Sequence, residues 1–227
     1  MIKQISALGM AVSMVLATNG AMAETKLDTD DAKFSYSIGI GIAKNAIRSL
    51  NEQGIKFENA AVLQGMSDVL SNKSLQMTED EMVAIQQKVI AESKKQQAAA
   101  QEKLGADNLA AGSAYLAKNA KEDGVITTDS GLQYKVVTKG KGKKPAASDT
   151  VSVHYEGRLI NGTVFDSSYQ RGEPISFPVG GVIQGWQEAL QLMPVGSKWQ
   201  LVIPANLAYG PNGPGAIGPN STLIFDV

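Results

Sequence analysis

Apolar side chains return every three to five residues between Asp28 and Gly54, at Phe34, Ile38, Ile42, Ile47 and Leu50, which is the spacing of one helix face. Asp and Thr residues precede that stretch and Gly54 closes it, as helix start and stop signals do. A second, shorter segment places Phe57, Val62, Met66, Val69 and Leu70 on one side before the polar break Ser71-Asn72-Lys73-Ser74. Thr78-Glu79-Asp80-Glu81 then has the form of a capping box, in which Thr78 and Glu81 satisfy each other's backbone amides. A third helix starting there meets no proline before about Asp123. It runs through Met82, Ile85, Val89 and Ile90, an Ala/Gln/Lys stretch from Lys94 to Lys103, and then Leu104, Leu109, Tyr115 and Leu116. About 45 helical residues span roughly 65 to 70 Å, about twice the width of a small domain, so most of this helix is expected to protrude as a solvated rod. Gly105 and Gly112 each cost roughly 1 kcal/mol against alanine, which leaves a bend or break open there.

After Gly124 the period shortens to two. Leu132, Tyr134 and Val136 alternate with Gln133 and Lys135; Val151, Val153 and Tyr155 with Ser152, His154 and Glu156; Trp199, Leu201 and Ile203 with Lys198 and Gln200. Each reads as a half-buried strand. Asn161-Gly162, between Arg158-Leu159-Ile160 and Thr163-Val164-Phe165, is a two-residue hairpin signal, since both turn positions favour positive φ. One short helix fits Val182 to Leu190, and a final strand Thr222 to Val227. The fold class expected is therefore α+β: an all-α region, a long connecting helix, and an antiparallel β-sheet wrapped on a short helix. The apolar faces ahead of the rod, with Met66, Met77 and Met82, exceed what three helices cover by themselves, which predicts a homodimer; each methionine taken singly reads as ordinary core filler.

Composition removes much chemistry. The 227 residues hold no cysteine and one histidine, so disulfides, thiol nucleophiles and structural zinc sites drop out, and no metal or cofactor is expected. With 21 basic against 22 acidic side chains, no field spans the chain to hold nucleic acid. Lys3, an apolar run from Ile5 to about Ala17, and Ala21-Met22-Ala23 read as a secretory signal cleaved after Ala23, too short for a comfortable membrane span and followed by no cysteine for a lipid. That places the mature chain in the periplasm, with outer-membrane association or secretion left open.

His154 lies opposite Tyr155 on its strand and reads as a solvent-facing side chain without a role. Gly140-Lys141-Gly142-Lys143-Lys144 lacks the strand-to-helix context of a phosphate loop and reads as a basic turn. The notable feature is a concentration of apolar and aromatic groups: Tyr155, Phe165, Ile175, Phe177, Val182, Ile183, Trp186, Tyr209, Ile217 and Phe225. Most read as core. Two features resist that reading: Tyr209 in the loop Ala208-Tyr209-Gly210-Pro211, and Asp166 directly after Phe165 in an apolar neighbourhood.

Five ordered segments over about a hundred residues carry a specific resemblance. They are Val153-His154-Tyr155-Glu156-Gly157, Gly162-Thr163-Val164-Phe165-Asp166-Ser167-Ser168, Val182-Ile183-Gln184-Gly185-Trp186, Ala208-Tyr209-Gly210 and Thr222-Leu223-Ile224-Phe225-Asp226-Val227. They resemble the signatures of the FK506-binding-protein (FKBP-type) peptidyl-prolyl cis/trans isomerases, and the whole chain is similar to their Mip and FkpA group. With the signal read at residues 1–23, the resemblance implies a helical dimerisation domain at 24–77, a connecting helix at 78–123 and an isomerase domain at 124–227. It implies catalytic roles for Asp166, Tyr209, Phe165 and Trp186, with Trp186 as the pocket floor and Asp166 and Tyr209 as its polar points. Tyr155, Ile175, Phe177, Val182, Ile183, Ile217 and Phe225 would bind substrate, the Ile183 amide and Tyr209 each meeting a substrate carbonyl. The partners implied are proline-containing unfolded or exported proteins and inhibitors of the tacrolimus and rapamycin type. The chain departs from the family at Ile175, often an aromatic, and at Asn212-Gly213-Pro214, where relatives carry a histidine. The alternative is a non-catalytic holding chaperone or adaptor, which would suppress aggregation without accelerating proline-limited refolding. A hydrolase lacks a nucleophile and base.

Overall fold

The computed structural model of the chain describes residues 25–227, and the signal expected at residues 1–23 lies outside them. The chain divides into two compact units, residues 1–59 and 60–227. In the first, helix α1 (Asp30–Glu52) begins where Thr29, in extended conformation, accepts the Ala32 amide on its hydroxyl at 3.2 Å. Asp30 and Asp31 occupy the first turn, where negative charge complements the helix dipole. Gly54, at φ 64°, turns the chain after the helix, a conformation only glycine takes without a Cβ penalty. No residue of α1 is buried, and Phe34, Ile38, Ile42 and Ile47 are exposed.

Helix α2 (Asn59–Leu70) begins at the boundary between the units, and α3 (Glu79–Asn119) follows in the second. The capping box at Thr78 forms in full: Glu81 N–H donates to Thr78 Oγ1 at 3.3 Å and Thr78 N–H to Glu81 Oε2 at 2.8 Å. These hydrogen bonds hold the Glu81 carboxyl below its ordinary pKa. Helix α3 does not break. It passes unbroken through Gly105 and Gly112, both buried, because the helix lies against the sheet domain there. A Cβ on Gly112 would stand 2.3 Å from Thr222 Oγ1, and one on Gly105 3.1 Å from Asn220 Nδ2. The glycines serve close approach. The helix also stops at Asn119, short of the expected Asp123, because the Asn119 amide donates at 2.8 Å to the buried Gln133, whose own amide donates to Leu116 O at 3.0 Å.

Eight short strands follow: β1 (Val125–Thr127), β2 (Gln133–Thr138), β3 (Thr150–Val153), β4 (Glu156–Leu159), β5 (Val164–Ser167), β6 (Ile175–Pro178), β7 (Lys198–Ile203) and β8 (Leu223–Asp226). Six form an antiparallel sheet in the order β1-β2-β7-β8-β4-β5, and β3 pairs with β6 separately. The alternation from Val151 to Tyr155 is therefore not one strand. Tyr155 leaves the ladder because Ser168 takes over its backbone: Tyr155 N–H donates to Ser168 Oγ at 2.8 Å, and Ser168 N–H to Tyr155 O at 2.9 Å. A backbone pair satisfied this way needs no strand partner.

One-turn helix α4 (Ser168–Arg171) follows β5, and α5 (Gln184–Leu192) precedes β7. Helix α5 buries Trp186, Ala189 and Leu190 against Leu132, Leu201, Ile203 and Leu223 of the sheet domain, all four of which are fully buried. Gly185 lets it sit close, since a Cβ there would stand 2.5 Å from Ile203 Cγ2.

Gly112→Ala tests the docking of α3. Alanine gains roughly 1 kcal/mol of helix propensity but overpacks against buried Thr222, and overpacking costs about 1–3 kcal/mol. Thermal unfolding of the variant should show a net loss of about 1 kcal/mol; a gain would mean the contact yields freely.

Candidate active site

The site is assembled on α5. The Trp186 indole, 4% exposed, stands in T-shaped contact with three rings: Tyr155 at 5.3 Å and 89°, Phe177 at 5.9 Å and 79°, and Phe225 at 5.3 Å and 82°. Such edge-to-face pairs contribute about 0.5–1.5 kcal/mol each beyond burial, and they set the tilt of the indole. Phe165 meets Phe225 at 5.6 Å and 87°. Gly157 makes that approach possible, because a Cβ there would lie 2.6 Å from Phe225 and 2.8 Å from Phe165.

Around this buried ring stand half-buried apolar side chains. Phe165, Ile175, Phe177, Val182 and Ile183 pack on the cluster that holds Tyr155, Trp186, Ile217 and Phe225. Ile183 is the N-cap of α5, and its carbonyl accepts the Trp186 and Gln187 amides at 2.9 and 3.0 Å. Gln187 also fastens Val182, donating to its carbonyl at 2.7 Å. The structure thus brings together the apolar residues singled out in the sequence. Tyr209 is the exception: it is 41% exposed, and its neighbour Ala208, not Tyr209 itself, packs on the cluster.

Asp166 sits beside Tyr155 on β5 with both carboxylate oxygens engaged. Tyr155 OH donates to Oδ2, and Arg171 Nη1 donates to Oδ1 at 2.5 Å. Arg171 Nη2 also donates to Tyr155 OH at 2.9 Å, with the guanidinium 5.6 Å from the centre of the Tyr155 ring. Partial burial alone would raise the Asp166 pKa, but the hydrogen bonds from Arg171 and Tyr155 and the guanidinium charge outweigh it and hold the carboxyl below its ordinary value. Burial and the Asp166 carboxylate push the Tyr155 phenol up. Neither group therefore changes charge near neutrality, and Asp166 has no oxygen without a donor. The arrangement orients a ring and a fixed negative charge; it does not supply a proton acceptor.

Two contributors escaped the sequence reading. Arg171 lies five residues after Asp166 and reaches it only because α4 turns the chain, ended by Gly172 at φ 83°; no local spacing announces that. Gly157 was visible only as part of a motif. His154 needs correction as well. It is exposed, but it stacks on Tyr169 at 4.8 Å and lies 3.1 Å from Ser168 Oγ, so it braces the Tyr155–Ser168 crossing from outside. Among the described residues no group of three or more acidic or imidazole side chains is placed to hold a metal ion.

Comparison with known proteins identifies the architecture. Residues 141–227 match the family model of FKBP-type peptidyl-prolyl cis-trans isomerase, and residues 31–136 the model of the domain amino terminal to it. The chain is 44% identical to the outer membrane protein MIP of Legionella longbeachae over 97% of this chain and 92% of that protein. It is 46% identical to the FKBP-type peptidyl-prolyl cis-trans isomerase FkpA of Escherichia coli, over 87% of this chain and 74% of that one. The crystal structure of FkpA from Escherichia coli superposes with a TM-score of 0.72 at 45% identity, covering 88% of this chain and 95% of that chain.

Replacing Arg171 with Leu removes two hydrogen bonds and the nearby positive charge. Carbon-13 NMR titration should find the Asp166 carboxyl pKa raised; an unmoved titration would mean the guanidinium does not govern that carboxylate.

Proposed function

This chain belongs to the FKBP-type peptidyl-prolyl cis-trans isomerases, in the group of Mip and FkpA, and from that premise we propose which residues perform the isomerisation and how. The observation that supports the proposal is the buried Trp186 indole among the Tyr155, Phe177 and Phe225 rings, with an Asp166 next to Tyr155 whose oxygens are both occupied. The X-Pro bond rotates slowly because twisting breaks amide resonance, over a barrier of about 18–20 kcal/mol. An apolar hollow that strips water from the imide carbonyl removes the hydrogen bonds favouring its charge-separated form, and the twisted bond loses less there.

The proline ring lies on Trp186, between Tyr155, Phe165, Val182, Ile183 and Phe225, with Ile175, Phe177 and Ile217 extending the walls. The Ile183 amide, ahead of the α5 N-terminus, donates to one substrate carbonyl, and the Tyr209 hydroxyl on the rim meets another. Asp166 keeps the Tyr155 ring in place and sets a fixed negative potential beside the rotating amide. A thousandfold acceleration needs about 4 kcal/mol of differential stabilisation, within reach of such a pocket and two hydrogen bonds. Proline-containing polypeptides are the substrates, and inhibitors of the tacrolimus and rapamycin type compete for the same hollow.

The exposed apolar residues of α1 support a homodimer through the N-terminal helices, and the same surfaces suit holding of unfolded clients. The signal pattern at residues 1–23, with a relative named as an outer membrane protein, supports export to the periplasm.

Turnover of a proline tetrapeptide should be inhibited by tacrolimus and nearly flat between about pH 6 and 8. Trp186→Ala, Asp166→Ala and Tyr209→Ala should each lower kcat/KM at least about tenfold; a bell-shaped profile or three fully active variants would remove the site. For the assembly, Ile38→Asp together with Ile42→Asp should turn a dimer into a monomer in sedimentation equilibrium while tetrapeptide turnover persists. An unchanged mass would place the interface elsewhere.

A further inference from the structure

We infer that Asn108, on the long helix α3, is a positioning residue for the isomerase site, holding from behind the loop that carries Tyr209 and Ile217. The inference rests on the site reading above. Between β7 and β8 the chain crosses from Pro204 to Thr222 with only two one-turn 3-10 segments, Ala205–Leu207 and Gly210–Asn212. Its backbone turns repeatedly through the left-handed region: Gly210, Gly215 and Gly218 have φ of 56°, 48° and 73°, which glycine adopts freely, and Asn220, which has a Cβ, sits at 52°. A non-glycine residue there carries strain that its surroundings must maintain. The loop also crosses itself so closely that a Cβ on Gly213 would lie 1.8 Å from Gly218 O.

Helix α3 supplies the restraint. Asn108 Nδ2 donates to Pro219 O at 2.8 Å and to Ser221 Oγ at 3.3 Å, so one amide nitrogen straddles the strained Asn220. Asn220 Nδ2 returns a hydrogen bond to Gly105 O at 3.4 Å, one turn earlier on the helix. Ser221 Oγ in turn donates to Ile217 O at 2.6 Å, and Asn220 N–H to Gly210 O at 2.7 Å. The first of these reaches Ile217, buried in the cluster with Trp186; the second reaches the residue next to Tyr209. From Asn108 to the pocket wall there are two hydrogen bonds in series.

The other polar attachment of α3 differs in what it holds. Asn119 and Leu116 bind Gln133 on β2, and β2 is already paired on both sides, by β1 and β7. That strand keeps its place through its own ladders, whereas the loop has no ladder between Ile203 and Leu223. Asn108 therefore acts on the pocket and Asn119 on the docking of the helix. The long helix becomes part of the catalytic domain's specificity for a loop geometry, as well as a spacer.

The test uses the full chain with Asn108→Asp, which keeps the shape and loses the donor, and Asn108→Ala, which removes both; Asn119→Ala is the docking control. Two quantities are read at a temperature where all variants are folded: kcat and KM on a proline tetrapeptide, and amide hydrogen exchange at residues 209–222. Both Asn108 variants should lose roughly three- to tenfold in kcat/KM, with exchange in the loop faster by about tenfold. Asn119→Ala should stay within about twofold on both. Wild-type kinetics and exchange in both Asn108 variants, or an equal loss in Asn119→Ala, would overturn the inference. Should Tyr209→Ala abolish turnover while both Asn108 variants match the wild type, the site stands and this inference falls. If neither Tyr209→Ala nor the Asn108 variants change the rate, the site reading falls, and loop exchange still decides whether Asn108 holds the loop.

Discussion

The edge-to-face contacts on the Trp186 indole are the constraint from which the rest of the site follows. An indole met by three rings from β-strand and inter-strand positions has little freedom of tilt, so its face is presented in one orientation. Each partner is held by something else: Phe225 by its place in β8, Phe177 by the β3–β6 pair, and Tyr155 by the Ser168 crossing and the Asp166 carboxylate. The glycines follow from the same demand. Gly157 exists where Phe165 and Phe225 close together, and Gly185 where α5 presses on Ile203.

Electrostatics at the site is organised to stay constant. A carboxylate next to aromatic rings would ordinarily be desolvated and drift toward neutrality, but Arg171 and Tyr155 supply enough hydrogen bonding and charge to keep it ionised. The linkage has a definite sign. A depressed carboxyl stabilises the fold above its unfolded pKa, and that contribution is lost as pH falls through the lower folded value. With Asp166 and Arg171 partly exposed, the contribution is screened by solvent and modest. Its use is geometric: rotation about an amide needs a fixed environment, with no proton transferred.

Helix α3 joins this arrangement through small residues and amides. Gly105, Asn108 and Gly112 share one helix face by their spacing of three and four, and that face lies along Pro219 to Thr222. A helix with larger side chains there would be held off by at least a side-chain diameter, and the Asn108 hydrogen bonds would be out of reach. The charged and Gln-rich remainder of α3 is exposed, as expected of a solvated rod.

The alternation of period, the capping box at Thr78 and the ordered motifs were enough to place the three N-terminal helices, α5, β2, β7 and β8, and to single out the aromatic set. These signals are local: they depend on residues within a few positions of one another, and the chain carries them in any fold. The break between β3 and β4 depends on Ser168 crossing back to Tyr155, the service of Gly105 and Gly112 as contact points on partners more than a hundred positions away, and the reach of Arg171 to Asp166 on the turn that α4 makes between them. Only tertiary packing decides such pairings, because whether a glycine bends a helix or admits a neighbour turns on what lies against it, and no spacing in the sequence records that.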